Sequence, residues 1–218
     1  MKPYYQDDYA TIYHGDCEEI IPTLPKPDIV ATDPPYGISD APMMGTKNRR
    51  GKPNTWHLPS YWDKELPLKV FGILGALRIP LAIFGNWRQR EKVHQAVDQP
   101  LKAEIVWAKN CHTSPPCPLA RRDERIWIFS HRPFKGRTFE TSVWDSPVIP
   151  TWKRKEHKNE KPILLLQRLI RWLPEGLILD PYMGSGTTVR AAKDLEQKSI
   201  GIEIEESYCE IAAIRLGA

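Results

Sequence analysis

The tetrapeptide Asp33-Pro34-Pro35-Tyr36 places a carboxylate, a rigid Pro-Pro turn and an aromatic ring within four positions. Asp33 can accept a hydrogen bond from the exocyclic amine of a planar base, and the carbonyl oxygen of Pro34 can accept a second. The ring of Tyr36 can stack on the same base. The alternative is an ordinary tight turn after a strand, because Asp-Pro and Pro-Pro sequences also mark turns. The tetrapeptide therefore indicates a nucleobase site only when the other parts of a site accompany it.

A glycine-rich segment supplies a second candidate site. It reads Asp180-Pro181-Tyr182-Met183-Gly184-Ser185-Gly186-Thr187 and follows a short apolar run. The two glycines allow a ligand to approach the backbone closely, and the free amides of a helix starting at Thr187 favour a carboxylate or phosphate. No lysine follows the second glycine, so the spacing is not that of a phosphate-binding loop.

Glu203 lies seventeen residues after Gly186. It ends a predicted strand, where a carboxylate could bind the hydroxyl groups of a ribose. Together these residues predict a nucleoside-bearing cofactor with a carboxylate tail. The alternative is two turn glycines and a solvated strand end.

Strand-like and helix-like patterns alternate along the chain, which predicts an α/β fold. The predicted strands are Ala10 to His14, Asp28 to Thr32, Pro80 to Phe84, Glu104 to Ala108, Glu124 to Ser130, Leu177 to Leu179 and Ser199 to Ile204. The predicted helices are Glu18 to Thr23, Lys64 to Leu77, Trp87 to Val97, Pro162 to Trp172, Thr187 to Leu195 and Glu206 to Leu216.

These elements predict a Rossmann-like, seven-stranded and mostly parallel sheet with helices on both faces. Only the strands at Glu104 and Glu124 lack an intervening helix, so they are expected to form one antiparallel pair at an edge. We expect a single domain over residues 1–218, because 218 residues suit one domain. Two long segments, 37–62 and 131–160, have no assigned element, and loops of this length in a compact domain are usually functional or disordered.

The composition is that of a globular protein, with 41% hydrophobic and 27% charged residues. No apolar stretch approaches the roughly 20 residues of a membrane helix, and the first residues do not form a secretory signal. We therefore expect a cytoplasmic protein that does not bind or span a membrane. The four cysteines are scattered, and Cys111, His112 and Cys117 lack a second ligand pair, so no metal site is predicted.

The charge is uneven, which favours a polyanionic partner. Residues 109–158 contain eleven Lys or Arg against five Asp or Glu. Candidate phosphate contacts are Lys47, Arg49, Arg50, Lys52, Arg121, Arg122, Arg132, Lys135, Arg137, Lys153, Arg154 and Lys155. Any one of them could equally be a solvated surface residue, so the inference depends on the cluster.

Five segments together resemble the DNA amino-methyltransferases that use S-adenosylmethionine, over nearly the whole chain. They are Tyr13-His14-Gly15-Asp16-Cys17, Asp33-Pro34-Pro35-Tyr36, Asn159-Glu160-Lys161-Pro162, Asp180 to Thr187 and Gly201-Ile202-Glu203-Ile204. The tetrapeptide precedes the glycine-rich segment by about 150 residues, which is the permuted order of the family's beta group. RNA and protein methyltransferases with a similar tetrapeptide usually have the opposite order.

The resemblance implies a class I methyltransferase fold, in which residues 131–160 form a short target-recognition segment and residues 37–62 a DNA-contacting insertion. It also assigns roles to residues. Asp33, Pro34, Pro35 and Tyr36 match the catalytic tetrapeptide. Cofactor contacts are implied for Asp16, Cys17, Asp33, Lys161, Asp180, Pro181, Tyr182, Met183, Gly184, Ser185, Gly186, Thr187 and Glu203. Two positions depart from the family pattern: Tyr182 stands where Phe is usual, and Lys158 where Pro is usual.

Within the family, Asp at the first position of the tetrapeptide is found more often with adenine, and Ser with cytosine. The sequence therefore predicts methylation of the N6 amine of an adenine flipped out of duplex DNA. No cysteine lies beside the Pro-Pro pair, which disfavours methylation at cytosine carbon 5. The alternatives are an N4-cytosine methyltransferase, a catalytically silent DNA-binding scaffold and an RNA methyltransferase. The sequence leaves open whether the chain forms a homodimer or works beside a separate restriction nuclease.

Overall fold

The computed structural model describes residues 2–37, 65–113, 121–133, 136–146 and 160–218. Of the two long segments, 37–62 lies outside these ranges except for Gly37, and 131–160 is described only in part.

Within these ranges, nine strands form one sheet in the order β1-β2-β9-β8-β3-β4-β6-β5-β7. They are β1 (Tyr5–Gln6), β2 (Ala10–His14), β3 (Ile29–Thr32), β4 (Leu81–Gly85), β5 (Leu101–Thr113), β6 (Arg121–Phe129), β7 (Val143–Asp145), β8 (Ile178–Asp180) and β9 (Ser199–Glu203). The helices are α1 (Cys17–Ile20), α2 (Leu68–Ala76), α3 (Arg90–Val97), α4 (Ile163–Trp172), α5 (Thr187–Asp194) and α6 (Glu206–Leu216), with short 3-10 turns at Ile21–Thr23 and Trp87–Gln89.

The strand count corrects the predicted seven. The two extra strands, β1 and β7, have only two and three residues, so neither shows a readable alternation. The expected antiparallel pair is present as β5 and β6, but it is not at the edge. β7 pairs parallel to β5 and covers it, and β6 also pairs antiparallel to β4. A second antiparallel pair, β1 with β2, lies at the other edge.

Helices cover both faces of the sheet, as predicted, because the central strands are apolar on both sides. In β3, Val30 packs with the residues of α2 and α3, whereas Ile29 and Ala31 pack with those of α4 and α5. In β6, Trp127 and Ile128 alternate between the same two clusters. Both clusters are fully enclosed, which fixes the register of the central strands.

The predicted Lys64 helix begins only at Leu68, because Pro67 stands at its N-cap position. Helix α4 begins at Ile163, directly after Pro162. The predicted bounds of β2 and α6 are confirmed.

The carboxyl ends of β2, β9, β8, β3 and β4 all meet at one edge of the sheet, since these strands are parallel. We call it the carboxyl edge. Strand β6 runs the other way, so its first residues reach the same edge, where Arg125 pairs with Gly85. The end of β5 lies there too, because Ala108 pairs with Asp123. Ligands of open α/β sheets bind at this kind of edge.

Candidate active site

A cavity of about 410 Å³ opens at the carboxyl edge. Its lining includes Asp33 and Pro35 of the tetrapeptide, Lys161, and the sequence-predicted residues Asp180, Tyr182, Met183, Gly184, Ser185, Thr187 and Glu203. A smaller cavity of about 110 Å³ shares Tyr182, Glu203 and Ile204 with it and is lined further by Gly15, Asp16, Cys17, Glu18, Val70 and Pro181. The two cavities therefore adjoin, and the two segments that sequence reasoning singled out share one site.

Asp180 anchors the glycine-rich loop. Its side chain is buried, and Oδ1 accepts hydrogen bonds from the Thr32 hydroxyl at 2.8 Å and from the Tyr182 amide at 3.1 Å. Burial raises the pKa of Asp180 to about 6, against hydrogen bonds from Thr188, Thr32 and Tyr182 that favour the carboxylate. The bond to Thr32 ties the loop to the end of β3, one residue before Asp33.

Glu203 closes the other side of the loop. Its Oε2 accepts a hydrogen bond from the Gly184 amide and its Oε1 one from the Glu205 amide, both at 2.9 Å. Burial raises the pKa of Glu203. Because Glu203 lines both cavities, its carboxylate lies at their junction.

Gly186 lines neither cavity but forms the N-cap of α5, with φ of 80°. A Cβ atom at this position would lie 2.6 Å from the Cβ of Ala212 on α6. Only glycine therefore fits this turn, which turns the loop into the start of α5 at Thr187.

Asp33 is held by two side chains. Its Oδ2 lies 2.5 Å from Lys161 Nζ, and its Oδ1 accepts a hydrogen bond from the Tyr36 hydroxyl at 2.6 Å. The loop is fixed further by Gln89, whose side-chain amide donates to the Tyr36 carbonyl at 3.0 Å. Pro34 is buried. Burial raises the pKa of the Asp33 carboxyl, while Lys161 opposes that shift.

Lys161 was expected to contact the cofactor. It lines the cavity, but its ammonium group lies between acids of the protein: Asp33, and Glu124 on β6, whose Oε2 is 3.4 Å away.

Sequence reasoning missed several residues of the site. The main cavity is also lined by Phe84, Glu160, Leu166, Thr188, Ile204, Glu205 and Tyr208. Glu124 does not line the cavity but forms an ion pair with Lys161. Glu160 is paired with Arg215 of α6 at 2.7 Å, and Arg215 also donates to the Thr187 hydroxyl at 3.0 Å. Glu160 and Ile204 lie in two of the segments that resemble the family, so the sequence held a signal for these two residues.

The predicted phosphate contacts divide between the two edges of the sheet. Arg121 and Arg122 begin β6 at the carboxyl edge, and Arg122 donates to the Lys109 carbonyl at 3.3 Å. Arg132 follows the end of β6 at the opposite edge. Arg137 lies there too, since its amide bonds to the Trp172 carbonyl at the end of α4 and its side chain pairs with Glu175. Lys47, Arg49, Arg50, Lys52, Lys135, Lys153, Arg154 and Lys155 lie outside the described residues.

Comparison with known proteins decides the family. The model of a family described as DNA methylase, of the N6/N4 methyltransferase type, matches residues 28–214. The chain belongs to this DNA methylase family. The resemblance of its motifs to the amino-methyltransferases is thereby confirmed.

Three relatives illustrate the match. The type II methyltransferase M.HinfI of Haemophilus influenzae is 27% identical over 259 residues, covering 99% of this chain and 70% of M.HinfI. The crystal structure of the M1.HpyAVI-SAM complex has a TM-score of 0.71 at 23% identity and covers 96% of this chain and 100% of that one. The cytosine-N4-specific PvuII DNA methyltransferase has a TM-score of 0.71 at 17% identity, covering 100% of this chain and 89% of that one. These two structures share the fold, which confirms the predicted fold class.

No helix within the described ranges has the length and apolar character needed to cross a membrane. The described part of the chain also holds no group of three His, Cys, Asp or Glu side chains suited to a metal ion.

Proposed function

We propose that this DNA methylase moves the methyl group of S-adenosylmethionine to the exocyclic N6 amine of an adenine flipped out of duplex DNA. One observation carries the proposal: Asp33 and Pro35 line the same cavity as Gly184, Ser185 and Glu203. A base-binding tetrapeptide and a cofactor loop that share one cavity can bring an amine and a methyl donor into contact.

The site suits a nucleoside joined to an amino acid. A cavity of about 410 Å³ falls within the roughly 300–1,000 Å³ that is typical of ligand sites. Glu203 uses two of its acceptor positions on backbone amides, and a carboxylate has about four, so it can also take two ribose hydroxyls. The smaller cavity, with Asp16 and Cys17, would hold the adenine ring of the cofactor, and the start of α5 would favour its carboxylate.

When bound, S-adenosylmethionine supplies a methyl group that is already activated on a sulfonium. The protein therefore has to position the acceptor nitrogen in line with the sulfur–methyl bond. Asp33 and the Pro34 carbonyl would each accept a hydrogen bond from the amine, which draws the nitrogen towards tetrahedral geometry and localises its lone pair. This reaction needs no covalent intermediate between the enzyme and the base.

Access to the amine requires that the base leaves the duplex. The ring of Tyr36 would then stack on it, as aromatic side chains do with unpaired bases. Tyr36 OH donates to Asp33, so the stacking ring and the accepting carboxylate are fixed to one another. Trp62, a further candidate for stacking, lies outside the described residues.

The choice of adenine depends on Asp33 being an aspartate, through the family resemblance. N4-cytosine is the alternative, because its amine has the same local geometry and the family model covers both types. The cytosine-N4-specific PvuII enzyme has the same fold.

The test is direct. The purified protein is incubated with duplex DNA and S-adenosylmethionine that carries a labelled methyl group, and the DNA is digested to nucleosides. We expect label on deoxyadenosine. Label on deoxycytidine would contradict the adenine assignment and keep the enzyme class, whereas no label on any base would contradict the proposed activity.

A further inference from the structure

Lys161 is a buried cation that three protein oxygens surround. Its residue is only 8% exposed. Nζ lies 2.5 Å from Asp33 Oδ2, 3.4 Å from Glu124 Oε2 and 3.4 Å from the Tyr36 hydroxyl oxygen. An ammonium group has three hydrogen atoms to donate. Asp33 Oδ2 and the Tyr36 hydroxyl oxygen accept two of them, and Glu124 Oε2 forms an ion pair with the ammonium group.

The acid behind Lys161 is itself fixed. Glu124 Oε1 lies 2.5 Å from Lys109 Nζ on β5, and both side chains are largely buried. The Phe84 ring lies 5.3 Å from Lys161 Nζ, a cation–π distance. Asp33, Lys161, Glu124 and Lys109 thus form a row of alternating charges that sums to zero and begins in the cavity. We call it the charge row.

The electrostatics agree with this geometry. Although burial opposes the charge, Asp33 and Glu124 raise the pKa of Lys161. Lys161 and Lys109 likewise lower the pKa of Glu124 against the effect of burial. Both groups are therefore ionised in the folded protein, and a fixed positive charge faces Asp33.

We propose that Lys161 and Glu124 are positioning residues of the methyl transfer: Glu124 fixes Lys161, and Lys161 keeps Asp33 ionised and oriented towards the target amine. This inference builds on the role proposed for Asp33. It assigns Lys161 to the acid that binds the target and not to the cofactor. Asp33 can accept from the amine only as a carboxylate, and one lone pair of each oxygen remains for it once Lys161 and Tyr36 are bound.

Replacing the two partners should have opposite effects on Asp33. Lys161→Met removes a positive charge next to the carboxylate, so the pKa of Asp33 should rise. Glu124→Gln removes a negative charge and keeps the shape, so the pKa of Asp33 should fall. Among the described residues, the charged or titratable groups that face Asp33 are Lys161, Glu124, Tyr36 and Asp180. The last two are unchanged in both variants. Glu104→Gln is the matched control, because Glu104 pairs with Arg125 in the same two strands.

The first experiment does not need an active enzyme. The Asp33 carboxyl is titrated by carbon-13 NMR in the wild type and the three variants. We expect a higher pKa in Lys161→Met, a lower one in Glu124→Gln and no change in Glu104→Gln. An Asp33 pKa that is the same in all four proteins would overturn the inference. If Lys161→Met does not fold, the sign of the shift in Glu124→Gln decides alone.

The second experiment separates positioning from cofactor binding. We expect kcat for DNA methylation to fall about 10²-fold in Lys161→Met and about 10-fold in Glu124→Gln, with the Kd for S-adenosylmethionine within about 3-fold of the wild type. On the acid side of the pH profile of kcat, the midpoint should move to higher pH in Lys161→Met and to lower pH in Glu124→Gln. A Kd that rises as much as kcat falls would mean that Lys161 holds the cofactor. A wild type that methylates no base contradicts the proposed function, and the titration of Asp33 still tests the charge row.

Discussion

The two halves of the cavity are built in different ways. In the half that we propose for the cofactor, the cofactor half, backbone amides of Tyr182, Gly184 and Glu205 donate to Asp180 and Glu203, beside the hydroxyl of Thr32. In the half that we propose for the target base, the target half, side chains bond to side chains, and Lys161 reaches Asp33 across 128 positions of the sequence. Backbone amides fix the shape of the glycine-rich loop, which suits a cofactor that is the same in every turnover. The carboxylate of Asp33 is held by the charged side chain of Lys161, which suits an acid that must accept a hydrogen bond from the substrate.

The largest expected effect follows from removing the acid of the target half. Asp33→Ala should lower kcat by about 10³-fold, because the amine loses its main acceptor. The Kd for S-adenosylmethionine should stay within about 3-fold of the wild type, since the cofactor half is untouched. Single-turnover methylation and calorimetry measure the two quantities. Glu91→Ala, an exposed site on α3, is the control. A loss of cofactor binding equal to the loss of rate would mean that the halves are not separate.

In the cofactor half, the buried acid should make stability depend on pH. Because burial raises the pKa of Asp180 from 3.8 to about 6, the folded state keeps a proton that the unfolded state releases between these values. The free energy of unfolding should therefore fall as the pH rises from about 4 to 6, by up to about 3 kcal/mol.

Asp180→Asn, which cannot titrate, should lack this part of the fall. Chemical denaturation of both proteins from pH 4 to 7 gives the difference. The exposed Asp8→Asn should follow the wild type. If the free energy of unfolding depends on pH equally in the wild type and in Asp180→Asn, the raised pKa of Asp180 is contradicted.

Gly186→Ala tests the backbone of the cofactor loop. The added methyl would meet Ala212, so the loop must shift, at a cost of about 1–3 kcal/mol. We expect the affinity for S-adenosylmethionine to fall about 10- to 100-fold. Gly217→Ala is the matched control: its φ is 101° but nothing lies within 4 Å of the new atom, so it should reduce stability and leave affinity unchanged. Equal affinities in the two variants would mean that the loop does not depend on this turn.

The smallest effect concerns the two edges of the sheet. Arg122→Ala, at the carboxyl edge, should weaken DNA binding about 3- to 10-fold and lower the salt slope by about 1. Arg132→Ala, at the opposite edge, should change neither. Fluorescence anisotropy over a range of salt concentrations measures both. A larger effect of Arg132→Ala than of Arg122→Ala would place the DNA at the opposite edge of the sheet.

The parts of the site that the sequence could predict are contiguous in the chain. The residues of the cofactor loop are contiguous from Asp180 to Thr187, so their order alone indicated the turn and its ligand class. The tetrapeptide was found for the same reason. Glu124 could not be, because its contact with Lys161 depends on β6 running between β4 and β5, with Gly85 opposite Arg125. Lys161 was seen, but its partners decide its role. β1 and β7 are too short for any pattern, which is why two of the nine strands were missed.

The division of the cavity is the central claim, and a crystal structure of the protein with S-adenosylmethionine tests it most directly. We expect the methionine part along Asp180 to Thr187, the ribose hydroxyls on Glu203, and the sulfur–methyl bond directed towards Asp33 with space for one acceptor nitrogen between them. A cofactor whose methyl group points away from Asp33, or one that occupies the position of Lys161 Nζ against Asp33, would contradict the account.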